Sequence, residues 1–344
     1  MKTIRDLRLL WLLCLTLATI QSCHKDDGVF VKPDTISDTK TDTNGTDTDT
    51  KTTDTDGDEH PDDDSGIEGD DGEITTYFVV GDDLIKDKDY KVTGKALEFQ
   101  KDTLKHQEIW ELAKKIIPLG YRSKMSHFAI YAGEKNESAG YVFNTTEDLS
   151  KWEMGIAIDF AYDNGTFNYN GQLAYTIIHE FGHILTLNDT QVDASVFVEN
   201  CKNFHTGEGC SKNQSHINIL YSKYWADIWK AFVKAGDNQI QQEEFYNKHE
   251  DRFVTRYAST NPGEDIAEIF ATFVTRKGGV RGKSIAEQKI GLLYDSPELV
   301  GIRNYIRDNF TASKSRNYLP IAGTWKNANS FGDPKKIHCT KHSR

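Results

Sequence analysis

The sequence lacks a basic stripe, a second long hydrophobic run and any internal repeat. Without clustered Lys and Arg there is no electrostatic footprint for nucleic acid. Without a second apolar run of about 20 residues, no further membrane-spanning helix is expected. Cysteine is sparse as well. Of the five, Cys14 and Cys23 fall near the N-terminus, so Cys201, Cys210 and Cys339 leave room for one internal disulfide and a spare thiol. No glycan-binding or wall-binding module is recognisable. The excess of acid is not spread through the chain either. His24–Thr75 holds 18 Asp and Glu against 4 Lys, a net of -14, whereas the chain from Thr76 onward is neutral. The acidity therefore belongs to a tail.

What is present begins at the N-terminus. Lys2, Arg5 and Arg8 form a positive region, and "LLWLLCLTLATI" is an apolar core too short to span a bilayer comfortably as a permanent anchor. The core ends in "IQSC" at Ile20–Cys23. A small residue followed by cysteine after such a core resembles a bacterial lipoprotein signal. The resemblance implies a signal peptide over residues 1–22 and a lipid on Cys23. It also implies export and anchoring in the lipid bilayer of the bacterial outer membrane. "CHKDD" looks like the short signal that carries some lipoproteins to the cell surface. An exported chain can form disulfides. Cys201 and Cys210 bracket a short Gly-containing loop and are the expected pair, with Cys339 left free.

Residues 23–75 read as a disordered, Asp/Thr-rich tether. They carry almost no apolar residues and repel themselves, so they cannot bury enough surface to offset chain entropy. Within them, Asp54–Asp64, "DTDGDEHPDDD", resembles one unit of the aspartate-rich Ca²⁺ repeats of extracellular proteins. Hard oxygen ligands at alternate positions suit that ion, although a single unit also reads as plain tether.

The folded part is expected over residues 76–344. Helical spacing covers Leu104–Ile117 and about Gln172–Leu187. "HFAIYAG" (His127–Gly133) and "GIAIDFAY" (Gly155–Tyr162) read as strands. Helices dominate afterwards, starting near Tyr221, Gln241, Glu264 and Ser296. Strands with some helix first, and helices later, predict an α+β domain with a mixed N-terminal lobe and a mainly helical C-terminal lobe.

The chemistry concentrates in "IIHEFGHIL", Ile177–Leu185. His179 and His183 are four apart, so on a helix they share one face and can aim at one ion. Glu180 points about 100° away, where it can take a proton from a water activated by that ion. It can later deliver the proton to a leaving amine. Gly182 costs roughly 1 kcal/mol inside a helix, which suggests that something approaches closely there.

A catalytic zinc needs a third protein ligand. Asp189 lies ten residues after His179, the spacing of extended motifs, but Thr186 stands where those motifs have a glycine. The other candidate lies in "YASTNPGEDIAEIFATFV". Asn261 and Pro262 look like an N-cap and first helical residue. Glu264 and Glu268 then share a face, with Ala267 and Ala271 small enough for close packing. Glu264 would bind the ion and Glu268 would accept a hydrogen bond from a liganding histidine. Two alternatives stay open: a capping-box role for Glu264, and exchanged roles for the two glutamates.

"HEFGH", followed about eighty residues later by "YAxxxPxEDxAExF", resembles the zinc metallopeptidases of the gluzincin type. The likeness is nearest to the lethal-factor-like peptidases and the zinc-binding metallopeptidase lipoproteins of gut bacteria. It implies a zincin-like fold and one catalytic Zn²⁺ held by His179, His183 and Glu264. It further implies Glu180 as general base, Tyr257 as hydrogen-bond donor to the developing oxyanion, and a protein or peptide substrate. In such enzymes the strand before the zinc helix is commonly a sheet edge that pairs with extended substrate, a role this assigns to "GIAIDF", although Ile156, Ile158 and Phe160 on alternate positions also read as a core strand. The rival is a surface-exposed lipoprotein whose zincin-like domain binds a partner without cutting it.

Overall fold

The computed structural model of the protein describes residues 72–312, apart from 135–137, 169–170 and 237, together with Leu319. These all belong to the unit that runs from Pro61 to Arg344. The signal peptide, Cys23, most of the tether, the Asp54–Asp64 segment and Cys339 lie outside the described residues.

The chain enters through a hairpin, β1 (Glu73–Val80) and β2 (Asp83–Asp89). β1 takes in residues 73–75, which sequence composition gave to the tether. Ile74 and Thr75 are fully buried, so their burial outweighs the polar run before them. Three helices follow: α1 (Gly94–Lys101), α2 (Thr103–Ile116) and the single turn α3 (Leu119–Arg122). Then come β3 (Met125–Tyr131), β4 (Gly140–Asn144) and β5 (Trp152–Ala157). The five strands form one mixed sheet in the order β2-β1-β3-β5-β4. β3 and β5 run parallel, and every other pairing is antiparallel.

Two expectations change here. "GIAIDF" is not a sheet edge. β5 is hydrogen-bonded to β3 on one side and β4 on the other, all six of its residues are buried, and β4 ends the sheet. A run buried on both faces is the mark of a central strand. The strand also stops at Ala157, and Ile158–Ala161 turn into the short helix α4. Two small hairpin strands follow, β6 (Tyr162–Asp163) and β7 (Thr166–Phe167).

α5 (Gln172–Leu187) is the central helix. Fifteen of its sixteen residues are buried, which a surface helix with one apolar stripe cannot manage. α2 packs beside it on the sheet, with the Trp110 and Phe128 rings 5.1 Å apart. Past α5, the strands β8 (Val192–Asp193) and β9 (Cys210–Ser211) pair to tie off a loop.

The C-terminal half is helical. The helix expected from Tyr221 is in fact two, α6 (His216–Tyr224) and α7 (Trp229–Ala235). The break falls at Trp225, whose fully buried indole donates to Asp265 Oδ2 at 2.7 Å. α8 (Gln239–Lys248), α9 (Pro262–Thr275), α10 (Ile285–Tyr294) and α11 (Pro297–Ala312) complete the unit. No helix among the described residues is long and apolar enough to cross a membrane. The architecture is α+β, with a sheet in the N-terminal half and helices in the C-terminal half.

Candidate metal centre

α5 and α9 pack directly against each other, and the site is built where they meet. Gly182 allows that approach. A Cβ placed there would lie 3.2 Å from Ala267 Cα and 3.3 Å from Phe270 Cδ1. The close contact suggested by a glycine inside a helix is therefore the crossing with α9, and Ala267 is the small residue opposite.

The sequence of α9 settles how Glu264 is presented. Asn261 caps the helix, its Oδ1 accepting from the Glu264 backbone N–H at 2.9 Å. Pro262 stands at the first turn, where its missing N–H costs nothing. The cap uses the backbone N–H of Glu264, and the carboxylate faces α5. It meets His179 there, with Oε2 3.1 Å from Nε2.

Three atoms converge. Glu264 Oε2 is 3.1 Å from His179 Nε2 and 3.5 Å from His183 Nε2, and the two Nε2 atoms are 3.1 Å apart. All three side chains are buried. A tetrahedral ion with bonds of about 2.0–2.1 Å holds its ligands roughly 3.3–3.4 Å apart. The observed separations bracket that value, so the triad can hold one metal ion without rearrangement.

The surroundings support the imidazoles. His179 Nδ1 is 2.7 Å from Glu268 Oε1, and Glu268 Oε2 accepts from the hydroxyls of Tyr175 and Thr255, each at 2.7 Å. With Nδ1–H turned toward Glu268, Nε2 is the nitrogen that faces Glu264 and His183. The geometry separates the two glutamates: Glu264 faces both Nε2 atoms, and Glu268 faces His179 Nδ1 from the other side of the ring. Sequence reasoning missed Tyr175 and Thr255. Tyr175 carried a signal, because it sits four residues before His179 on the same helix face.

Charge is shared unevenly. Burial disfavours a charged His179, but its hydrogen bonds to Glu264 and Glu268 outweigh burial and hold the ring well above the usual histidine range. His183 shifts the other way, because burial wins and the neighbouring His179 adds repulsion. Burial also pushes Glu264 up, yet His183 and His179 hold its carboxyl far below the ordinary range. These directions favour a proton on His179, between the two carboxylates. A metal ion bound at the triad would displace that proton.

Glu180 is buried beside the triad residues on α5. Its side chain lies against the end strand of the sheet: a Cβ on Gly140 would be 3.1 Å from Glu180 Cγ and 3.3 Å from Oε1. Tyr257 stands one turn before α9, and its ring lies 5.8 Å from that of His179, tilted by 41°. Asp189 is elsewhere. Its carboxylate accepts from Lys124 Nζ at 2.7 Å. The physical reason is local. Thr186 donates to the Gly182 carbonyl, and α5 continues to Leu187 instead of turning early toward the ion. The expected disulfide between Cys201 and Cys210 is formed, with Cα atoms 5.4 Å apart.

Compared with known proteins, the chain matches no family model, no curated protein and no solved structure.

Proposed function

We propose that the protein is a zinc-dependent endopeptidase of the zincin type. The observation that carries the reading is the meeting of His179, His183 and Glu264 within hydrogen-bond distances, with Glu180 buried on the same helix. Two imidazoles and one carboxylate are a ligand set suited to catalytic zinc, with a position left for water or substrate. Zinc, when bound there, supplies a Lewis acid that polarises a carbonyl and lowers the pKa of water.

The chain's own residues supply the rest. Glu180 takes the proton of the attacking water as the new C–O bond forms, and returns it to the departing amine as the C–N bond breaks. Tyr257, whose ring lies beside that of His179, donates a hydrogen bond to the oxygen that becomes negative. Glu268, gripped by Tyr175 and Thr255, fixes the ring orientation of His179. The end strand β4, which flanks Glu180 through Gly140, takes over the substrate-pairing role first assigned to β5. The N-terminal sequence supports an exported, lipid-anchored protein acting on protein or peptide at the bacterial surface.

The test is Glu180→Gln. The variant should keep its zinc and its melting temperature and lose at least about a thousandfold in turnover of a mixed peptide library. Equal turnover by wild type and variant would remove Glu180 from the mechanism. Absence of turnover in both would favour the rival reading, a lipoprotein that binds a partner without cutting it.

A further inference from the structure

A cavity of about 530 Å³ opens beside the triad, with His183 and Glu264 in its lining. It falls within the roughly 300–1,000 Å³ of sites that bury a whole small ligand. Leu187, Ile217, Tyr221 and Trp229 give it an apolar side. Much of the remaining lining comes from one short loop, Cys201 and Asn203 to Glu208.

That loop is held rather than draped. The Cys201–Cys210 disulfide closes it across nine residues. β9 pairs with β8 at its end, and Thr206 N–H donates to the Gly209 carbonyl at its tip. Asn203 Nδ2 donates to the Ser211 carbonyl at 2.7 Å, and Phe204 N–H to Asn218 Oδ1 at 3.2 Å. Gly209 permits close seating, because a Cβ there would lie 2.5 Å from the Asp193 carbonyl oxygen. The loop's main apolar group is Phe204. It stacks on Tyr221 at 4.5 Å and meets Trp229 edge-on at 5.7 Å. The wall is thus an aromatic surface fixed by covalent and hydrogen bonds.

The charge inventory narrows the occupant. No Lys or Arg is among the described lining residues, so an acidic side chain finds no cation there. Two carboxylates line it, beside the imidazole of His205: that of Glu264 already faces two imidazoles, and that of Glu208, at the loop's end, also has a partner. Val198 lines the cavity and is 67% exposed, and its neighbour Phe197 is 68% exposed. Two large apolar groups left in water beside an aromatic cavity mark an apolar partner.

We propose that the disulfide-closed loop is the specificity wall of this cavity, and that the cavity takes a large apolar side chain, aromatic or branched aliphatic, of a peptide lying across the triad. The inference rests on the peptidase reading for the identity of the ligand as a peptide. The apolar character of the cavity rests on the lining alone.

Two measurements on the full chain separate these. In the first, the zinc-loaded protein is given a peptide series that varies one residue on each side of the cleaved bond among Phe, Leu, Ala, Lys and Asp. On one side Phe or Leu should exceed Ala by at least about tenfold in kcat/KM, with Lys and Asp no better than Ala. The paired change Cys201→Ser with Cys210→Ser, and separately Phe204→Ala, should bring the Phe/Ala ratio down about tenfold with zinc content unchanged. A preference for Lys or Asp, or a ratio untouched by both variants, overturns the proposal. In the second, N-acetylphenylalaninamide is titrated into metal-free protein while the Trp229 indole N–H is followed by NMR. A saturable shift, weakened in Phe204→Ala, supports the cavity assignment. No shift overturns it. A shift together with no cleavage of any peptide leaves the apolar cavity standing and overturns the peptidase reading instead.

Discussion

Glu180 and Gly140 belong to different elements, and their contact decides where the carboxylate can stand. A Cβ at position 140 would lie 2.7 Å from Thr176 Cγ2 and 3.1 Å from Glu180 Cγ. The Thr176 methyl or the strand has to move, and the glutamate side chain has to give by a few tenths of an ångström. Gly140→Ala should therefore lower kcat by roughly tenfold, less than the hundredfold of a full 1 Å misplacement. Zinc content should stay unchanged. Parallel kcat and metal measurements check this, and a variant with normal kcat would detach Gly140 from the positioning of Glu180. At this scale the sequence was most legible where spacing carries chemistry. His179, Glu180 and His183 share a helix, and Glu264 and Glu268 share another, so helical period alone put each on its proper face. Gly140 was invisible. It bears no functional group, and its importance arises only when a strand meets a helix 40 residues further on.

The helix α9 works on two faces. One presents Glu264 and Glu268 to α5. The other carries Asp265, which is fully buried with Lys289 of α10 and the indole of Trp225. Burial pushes the Asp265 carboxyl up and the Lys289 amine down, and their pairing opposes both shifts. Removing one partner leaves an uncompensated buried charge, which costs about 3–5 kcal/mol. Lys289→Met and Asp265→Asn should each destabilise on that order, while the double change should cost less than either alone. Urea unfolding of the three variants checks it, and simple additivity would mean that the charges do not compensate each other. This pair lay beyond sequence reading, because a lysine in an amphipathic helix normally points to water. The position of β5 was hidden for a related reason. Its apolar run fits a core strand at an edge or in the middle, and only the pairing partners decide. β4, the strand that ends the sheet, is short and was not foreseen. By contrast, α2, α5 and α11 were read to within a residue or so, since long amphipathic periods leave few alternatives.

For the molecule as a whole, pH and metal should govern stability. His106 is buried, with Nδ1 2.6 Å from the Tyr77 hydroxyl and Nε2 2.9 Å from the Phe99 carbonyl. A carbonyl only accepts, so Nε2 carries the proton and Nδ1 accepts from Tyr77. Burial lowers the pKa of His106 below its ordinary 6.5 and lifts that of Tyr77 to about 12. The sign follows: the folded state prefers neutral His106, so its contribution is complete above about pH 6.5 and is lost as pH falls below it. His216 and His249 shift in the same direction, again through burial. His179 has the opposite sign in metal-free protein and gains stability as pH falls. In EDTA, the drop in unfolding free energy between pH 7.5 and 5.5 should be smaller in His106→Gln than in wild type. An equal drop would mean that His106 titrates alike in both states. A metal bound at the triad would be the larger lever. A ligand at a thousand times its dissociation constant adds about 4 kcal/mol, and the triad joins the two helices on which the site depends. The most direct test of the whole account is metal analysis of the purified chain and two variants. Wild type should carry about one zinc per chain, Asp189→Ala should keep it, and Glu264→Ala should lose it. A wild type that takes up no zinc, or a Glu264→Ala that holds zinc while Asp189→Ala does not, would contradict the metal centre described for α5 and α9.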